Sequence, residues 1–125
     1  MRVGNDFTAQ SLQADFGKAG APRDWINLER HLHSHGGMIA EAGGAKIALS
    51  IQPPALVIHQ INRHRRISME LRNELEQYAQ SHGLPILHWR SPIGNLELVQ
   101  RYLAIGAHLM GNDGADFLWE IRIGG

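Results

Sequence analysis

A chain of 125 residues has the size of one domain and can bury one continuous core without staples. Twelve Lys and Arg balance twelve Asp and Glu, so no whole-molecule field draws the protein to nucleic acid or to an anionic membrane. The absence of cysteine excludes disulfide frameworks, thiolate zinc sites and cysteine nucleophiles together.

The lack of cysteine fits a reducing cytoplasm, and two further features agree with it. The longest apolar runs, such as Ala55 to Ile58, are far too short to cross a bilayer, and Met1 is not followed by an apolar signal-peptide core. A soluble cytoplasmic protein is the expectation.

Phe7, Leu12 and Phe16 recur at roughly helical intervals between Asp6 and Phe16, with Gly17 placed as a left-handed cap. Pro22 suits a first helical turn, and Trp25, Leu28 and Leu32 then describe an amphipathic helix that ends before Gly36 and Gly37. From Met38 the period becomes two. Residues 38–42, the pair Gly43 and Gly44, and residues 45–51 read as a β-hairpin whose turn can take positive φ, and Pro53 with Pro54 ends it. Residues 55–61 are apolar almost throughout, as an interior strand covered on both faces should be.

After a basic turn, Arg63 to Arg66, the residues Leu71, Leu75, Tyr78 and Ala79 mark a helix over 67–82 that Gly83 stops. Residues 84–89 read as the next strand, completing a right-handed βαβ unit in which it lies parallel to 55–61. Asn95 can cap a helix through Ala104, with Leu96, Val99, Tyr102 and Leu103 on one face and Gly106 at its end. Residues 107–110 and 115–123, joined by Gly111 to Gly114, read as a closing hairpin. No linker interrupts the chain. It reads as one domain over 1–125, with a helical part over 1–36 and a sheet over 37–123.

The segment 95–107 resembles the N-x-x-A-x-x-x-Y-x-x-x-G-F segment of GNAT-type N-acetyltransferases at Asn95, Tyr102 and Gly106. It departs at Leu98, in the alanine position, and at Ala107, where an aromatic residue is expected. Residues 63–68, followed by Leu71, fall where that family places its Q/R-x-x-G-x-G/A turn. Arg63 matches, whereas Arg66 and Ser68 replace small residues. Such a turn is an anion cradle, in which backbone N–H groups at a helix start face a pyrophosphate and glycine permits close approach. Arg66 and Ser68 either fill the cradle or, through Arg66, add a charge-assisted contact.

The resemblance covers roughly residues 37 to 123. It implies an α/β, GNAT-like mixed sheet with flanking helices and a shortened N-terminal part, since little room exists before Asp6 for the strand with which the family begins. A partner chain or a second copy would complete such a trimmed fold.

By the same resemblance, acetyl passes from acetyl-CoA (acetyl-coenzyme A) directly to an amine. Tyr102 is then the acid that protonates the departing thiolate, and Ile58, Arg63, Arg65, Arg66, Ser68 and Asn95 hold the cofactor. Against this stands the reading of Tyr102 as a core aromatic. The rival from another class is a GNAT-fold binding or inhibitory protein that has lost the cofactor cradle, favoured by the replaced glycines.

Other residues carry chemistry by type. His59, in the central strand, suits a general base by its ordinary pKa, against a buried, hydrogen-bonded histidine. Glu41 and His88 on neighbouring strands are further base candidates. His31, His33 and His35 invite a metal, yet on a helix His33 points away from the other two, so no metal is expected. The cluster Arg63, His64, Arg65 and Arg66 also suits an acidic partner. Neutral charge and few aromatics argue against nucleic acid as the main one.

Overall fold

The computed structural model describes residues 1–17, 24–42, 44–62 and 69–123. The elements in chain order are β1 (Arg2–Gly4), α1 (Ala9–Phe16), α2 (Trp25–Ser34), β2 (Met38–Ala42), β3 (Ala45–Gln52), β4 (Ala55–Ile61), α3 (Met69–Ser81), β5 (Ile86–Pro92), α4 (Leu96–Ala104), β6 (His108–Asn112) and β7 (Asp116–Arg122). All strands join one seven-stranded mixed sheet in the order β1-β2-β3-β4-β5-β7-β6.

The change of period at Met38 marks the change from helix to strand. β2 and β3 pair directly from Met38↔Leu49 to Ala42↔Ala45, so two residues make the turn, and Gly44 takes a φ of 76° there. β4 and β5 are parallel, with α3 crossing between them, as the βαβ pattern requires. Every other neighbouring pair is antiparallel.

Strand alternation sends the sheet's side chains into two cores. On one face Ile47, Leu49, Leu56, Leu87 and Trp119 pack with Leu71 and Leu75 of α3 and Tyr102 of α4. A smaller cluster, Phe7, Leu12, Phe16, Leu28 and Leu32 of the N-terminal segment with Ala48 of β3, covers the other. Transfer of a large aliphatic side chain from water to such a site contributes about 1.5–3 kcal/mol, so these rows fix the register.

Four expectations are corrected. A three-residue strand does precede the helices: Arg2, Val3 and Gly4 pair with Glu41, Ala40 and Ile39. Gly17 is right-handed, with φ −65°, because its N–H continues the helical pattern to the Gln13 carbonyl at 2.8 Å. β5 begins at Ile86 rather than Leu84. The Leu84 N–H is spent on the Ala79 carbonyl (2.9 Å) around Gly83 at φ 69°, which closes α3, and Pro85 has no N–H to give. The last hairpin turns later than composition suggests, since Gly111 and Asn112 remain in β6. There Asp113 Oδ1 accepts from the N–H groups of Ala115 (3.0 Å) and Asp116 (2.8 Å), which bends the chain beyond them.

Candidate functional site

The parallel strands β4 and β5 touch over only three residue pairs, Ala55↔Ile86, Leu56↔Leu87 and Val57↔His88. Both continue beyond that point. β4 runs on to Ile61 against β3, and β5 runs on to Pro92 against β7. Their facing edges therefore part at the carboxyl ends of the two parallel strands, the place where open α/β sheets receive ligands. Ile58 is the first residue of β4 past the last pair, and Trp89 is the first of β5.

On the α4 side of this opening, Trp89 and Tyr102 are each 3% exposed. The Tyr102 ring meets the Trp89 and Trp119 rings edge to face, both at 5.3 Å. α4 is aimed at the sheet by Asn95, whose Oδ1 caps the Leu98 N–H at 3.2 Å, and by the buried Leu98. The two indoles differ in one respect. Trp119 Nε1 donates to the buried Ser91 Oγ at 2.8 Å, whereas Trp89 Nε1 is buried with no partner among the described residues. An unpaired buried donor costs about 1–3 kcal/mol, so this N–H leaves an unmet demand for an acceptor in the core beside Tyr102.

On the opposite face, β4 presents His59. Its Nε2 lies 2.7 Å from Ser50 Oγ, and Ser50 Oγ also accepts from Gln52 Nε2 at 2.8 Å. Ser50 and Gln52 are two apart on β3 and so share a face. The ring of His31 on α2 lies 5.1 Å from that of His59, and His35 stands 4.3 Å from His31. Next along the sheet, His88 Nε2 contacts Glu120 Oε1 at 2.9 Å, and His108 is paired in register with Glu120 on the far strand.

The residues singled out in the sequence thus separate. Tyr102, Ile58 and His59 stand around the parting of β4 and β5. Asn95 is spent as a helix cap, and His88 is held by Glu120. Glu41 lies on β2, across β3 from the central strand, lining a concavity with Arg2, Asp6 and Lys46. His33 leaves its two neighbours to stack on Phe7 at 4.2 Å, and among the described residues no group of three acidic or histidine side chains could hold a metal ion. Arg63, Arg65, Arg66 and Ser68 lie outside the described residues. Ser50, Gln52 and the unpaired indole of Trp89 were missed. Ser50 and Gln52 follow Lys46 as polar residues on one face of a strand whose other face is apolar, and that was the available signal for the first two.

No family model matches the sequence, and no curated protein matches it either. Solved structures do. The ribosomal-protein-S18-alanine N-acetyltransferase from Escherichia coli superposes with a TM-score of 0.65 at 9% identity, over 98% of this chain and 93% of that one. An IAA acetyltransferase from Bacillus cereus gives 0.61 at 14% identity, covering 98% and 100%. Ard1 from Thermoplasma volcanium gives 0.59 at 12%, covering 98% and 97%. At such identities the likeness is one of fold. The chain has the GNAT-type fold, an α/β mixed sheet with flanking helices.

Proposed function

On this GNAT-type scaffold we propose that the protein is an N-acetyltransferase that takes acetyl from acetyl-CoA and gives it to an amine of a small molecule or a protein. The observation that carries the reading is the parting of β4 from β5, where Trp89, whose indole N–H has no partner among the described residues, is the first β5 residue beyond the last pair. A ligand that brings its own amide and carbonyl groups can satisfy strand edges and a buried donor together, whereas an apolar ligand would leave both unpaired. The pantetheine arm of acetyl-CoA has that chemistry.

When bound, the cofactor supplies a thioester whose carbonyl carbon forms a bond to the amine nitrogen as the carbon–sulfur bond breaks. The residues of this chain then act as follows. Strand edges at Ile58 and Trp89 hold the acyl arm, and the Trp89 N–H donates to an acceptor on it. Tyr102 gives its phenolic proton to the leaving sulfur, a role that suits a phenol shielded from water between two indoles. The nitrogen's surplus proton passes to solvent water, from which Tyr102 regains the proton it gave to sulfur. Arg63, Arg65 and Arg66 supply positive charge for the pyrophosphate. Lack of cysteine and of any long apolar helix among the described residues supports a cytoplasmic setting.

Calorimetric titration with acetyl-CoA tests the reading. Saturable one-to-one binding is expected, and it should weaken in Trp89→Phe, which keeps a ring and deletes the donor. No saturation at millimolar cofactor would overturn it and favour a GNAT-fold binding protein without cofactor.

A further inference from the structure

Exposed apolar side chains gather at the β6 end of the sheet. Leu96 is 70% exposed and Leu103 54%, and Leu109 and Met110 of β6 are exposed as well. The topology brings them together. β5 and β6 are each antiparallel to β7 and so parallel to each other, which makes α4 the crossover between them. Such crossovers are right-handed. With Leu98 and Tyr102 buried against the sheet, a right-handed helix then turns Leu96, Val99 and Leu103 toward β6. Leu109 pairs with Trp119, whose ring meets that of Tyr102, so Leu109 projects on the α4 side of the sheet. β6 ends the strand order, and no strand among the described residues pairs with its outer edge. Its sequence holds no Lys, Arg, Asp, Glu or Pro, the residues by which sheets commonly blunt an edge. The register shift between Leu109 and Gly111 shortens the ladder that β6 can offer, yet it leaves the leucines uncovered.

We propose that this end of the sheet is a self-association surface, on which the same surface of a second copy of the chain docks about a two-fold axis perpendicular to the sheet. Two features select a second copy as the occupant. The first is spacing. About such an axis β6 meets the other β6 antiparallel, which carries the ladder across the junction, and α4 lies antiparallel beside the other α4. Leu96 and Leu103 stand one heptad apart with Val99 between them, so Leu96 of each copy meets Leu103 of the other. The second feature is charge. Residues close to a two-fold axis face their own kind, so a charged patch would repel itself. Neither β6 nor the stripe on α4 carries a carboxylate, a lysine or an arginine, and Glu97 and Arg101 pair with each other at 3.3 Å on another side of the helix. One contact thus gives the outer N–H and C=O groups of β6 their partners and covers the leucines. The parting of β4 and β5 lies beyond β7 and stays open, so the inference does not rest on the acetyl-transfer reading.

Sedimentation equilibrium of the intact protein over a range of concentrations is the test. The wild type should pass reversibly from a 13.9 kDa monomer to a species of twice that mass and no further. Leu103→Glu sets a carboxylate against a leucine at both ends of the contact and should weaken association by roughly a hundredfold, since one substitution counts twice about the axis. Leu109→Lys, on the strand, should weaken it likewise. Adding Leu96→Lys to Leu103→Glu should recover about tenfold of the loss, because each new lysine then faces the new glutamate of the other copy, whereas the two positions on one helix are too far apart to pair. All three leucines are exposed in the single chain, so the variants should keep the far-ultraviolet circular dichroism of the wild type. A wild type that stays monomeric throughout overturns the proposal, and so does a dimer that Leu103→Glu and Leu109→Lys leave intact. Growth beyond two copies overturns the closed two-fold contact. A dimer that Leu103→Glu breaks and the added lysine does not restore overturns the antiparallel pairing of the helices.

Discussion

Tyr102→Phe separates an acid from a core aromatic, because it removes one oxygen and almost no packing. The ring is 3% exposed and meets the Trp89 and Trp119 rings edge to face at 5.3 Å, contacts that phenylalanine keeps. The stability lost is therefore that of one hydroxyl hydrogen bond, about 1 kcal/mol. Against a domain stability of roughly 5–15 kcal/mol, the variant remains folded at 25 °C. The rate effect is of another size. A general acid contributes about 10²- to 10⁴-fold, or roughly 3–5 kcal/mol at 1.36 kcal/mol per tenfold. A structural tyrosine and a catalytic one thus differ in turnover by two decades or more at equal stability. The assay is steady-state acetyl transfer with the cofactor titrated at saturating amine, beside denaturant unfolding of both proteins. The expected result is a turnover lower by at least a hundredfold with little change in cofactor affinity. An active enzyme whose turnover is indifferent to the change would refute the reasoning and return Tyr102 to the core.

Ser91→Ala should cost about 1–3 kcal/mol in urea unfolding, since it strands the buried Trp119 N–H now bonded to Ser91 Oγ at 2.8 Å. A loss under half a kcal/mol would show that this bond contributes little. Asn95→Ala removes the α4 cap and should destabilise by about 0.5–2 kcal/mol, with cofactor affinity preserved at temperatures where the protein is folded. A selective loss of affinity would make Asn95 a cofactor ligand as well as a cap. The Asp113 carboxyl is held below the ordinary aspartate value by the N–H of Asp116 first, then that of Ala115, with Arg90 adding to them. Its folded pKa is the lower one, so its stabilising effect is present above the ordinary aspartate range and lost as pH falls through the folded value. NMR titration should find its midpoint below that of an unstructured aspartate, and an unshifted midpoint would refute the turn geometry.

Most of the architecture was legible because it is periodic. The apolar run 55–61, the helical spacing of Leu71, Leu75 and Ala79, and the Asn95 cap are local signals, and each element formed where its signal lies. β1 was not legible, since three exposed residues carry no pattern and pair with the edge of β2. Leu84 was read into a strand because it is apolar, yet it serves as the hydrophobic residue that closes α3. The site divides in the same way. Tyr102 was visible through its spacing from Asn95 and Gly106. The approach of His31 to His59 joins a helix to a strand 28 positions on, and nothing in the local sequence of either encodes that pairing. Trp89 and Trp119 are alike as letters, and only the position of Ser91 decides which indole is left unbonded.

The short contact between β4 and β5 has a mechanical side. It falls near the middle of the chain, and sheet order agrees with chain order there: β1 to β4 form one leaf, and β5, β7 and β6 the other. Three rungs of backbone ladder stitch the leaves, against seven directly paired residues between β5 and β7. Cohesion across the seam thus falls to the side chains clamped beneath α3, with Leu56 and Leu87 side by side at its centre. Such a join resists shear through packing while leaving the slot beyond it permanently ajar. A guest entering there breaks no existing rung, and the bonds it forms to the facing edges add stitches to the seam.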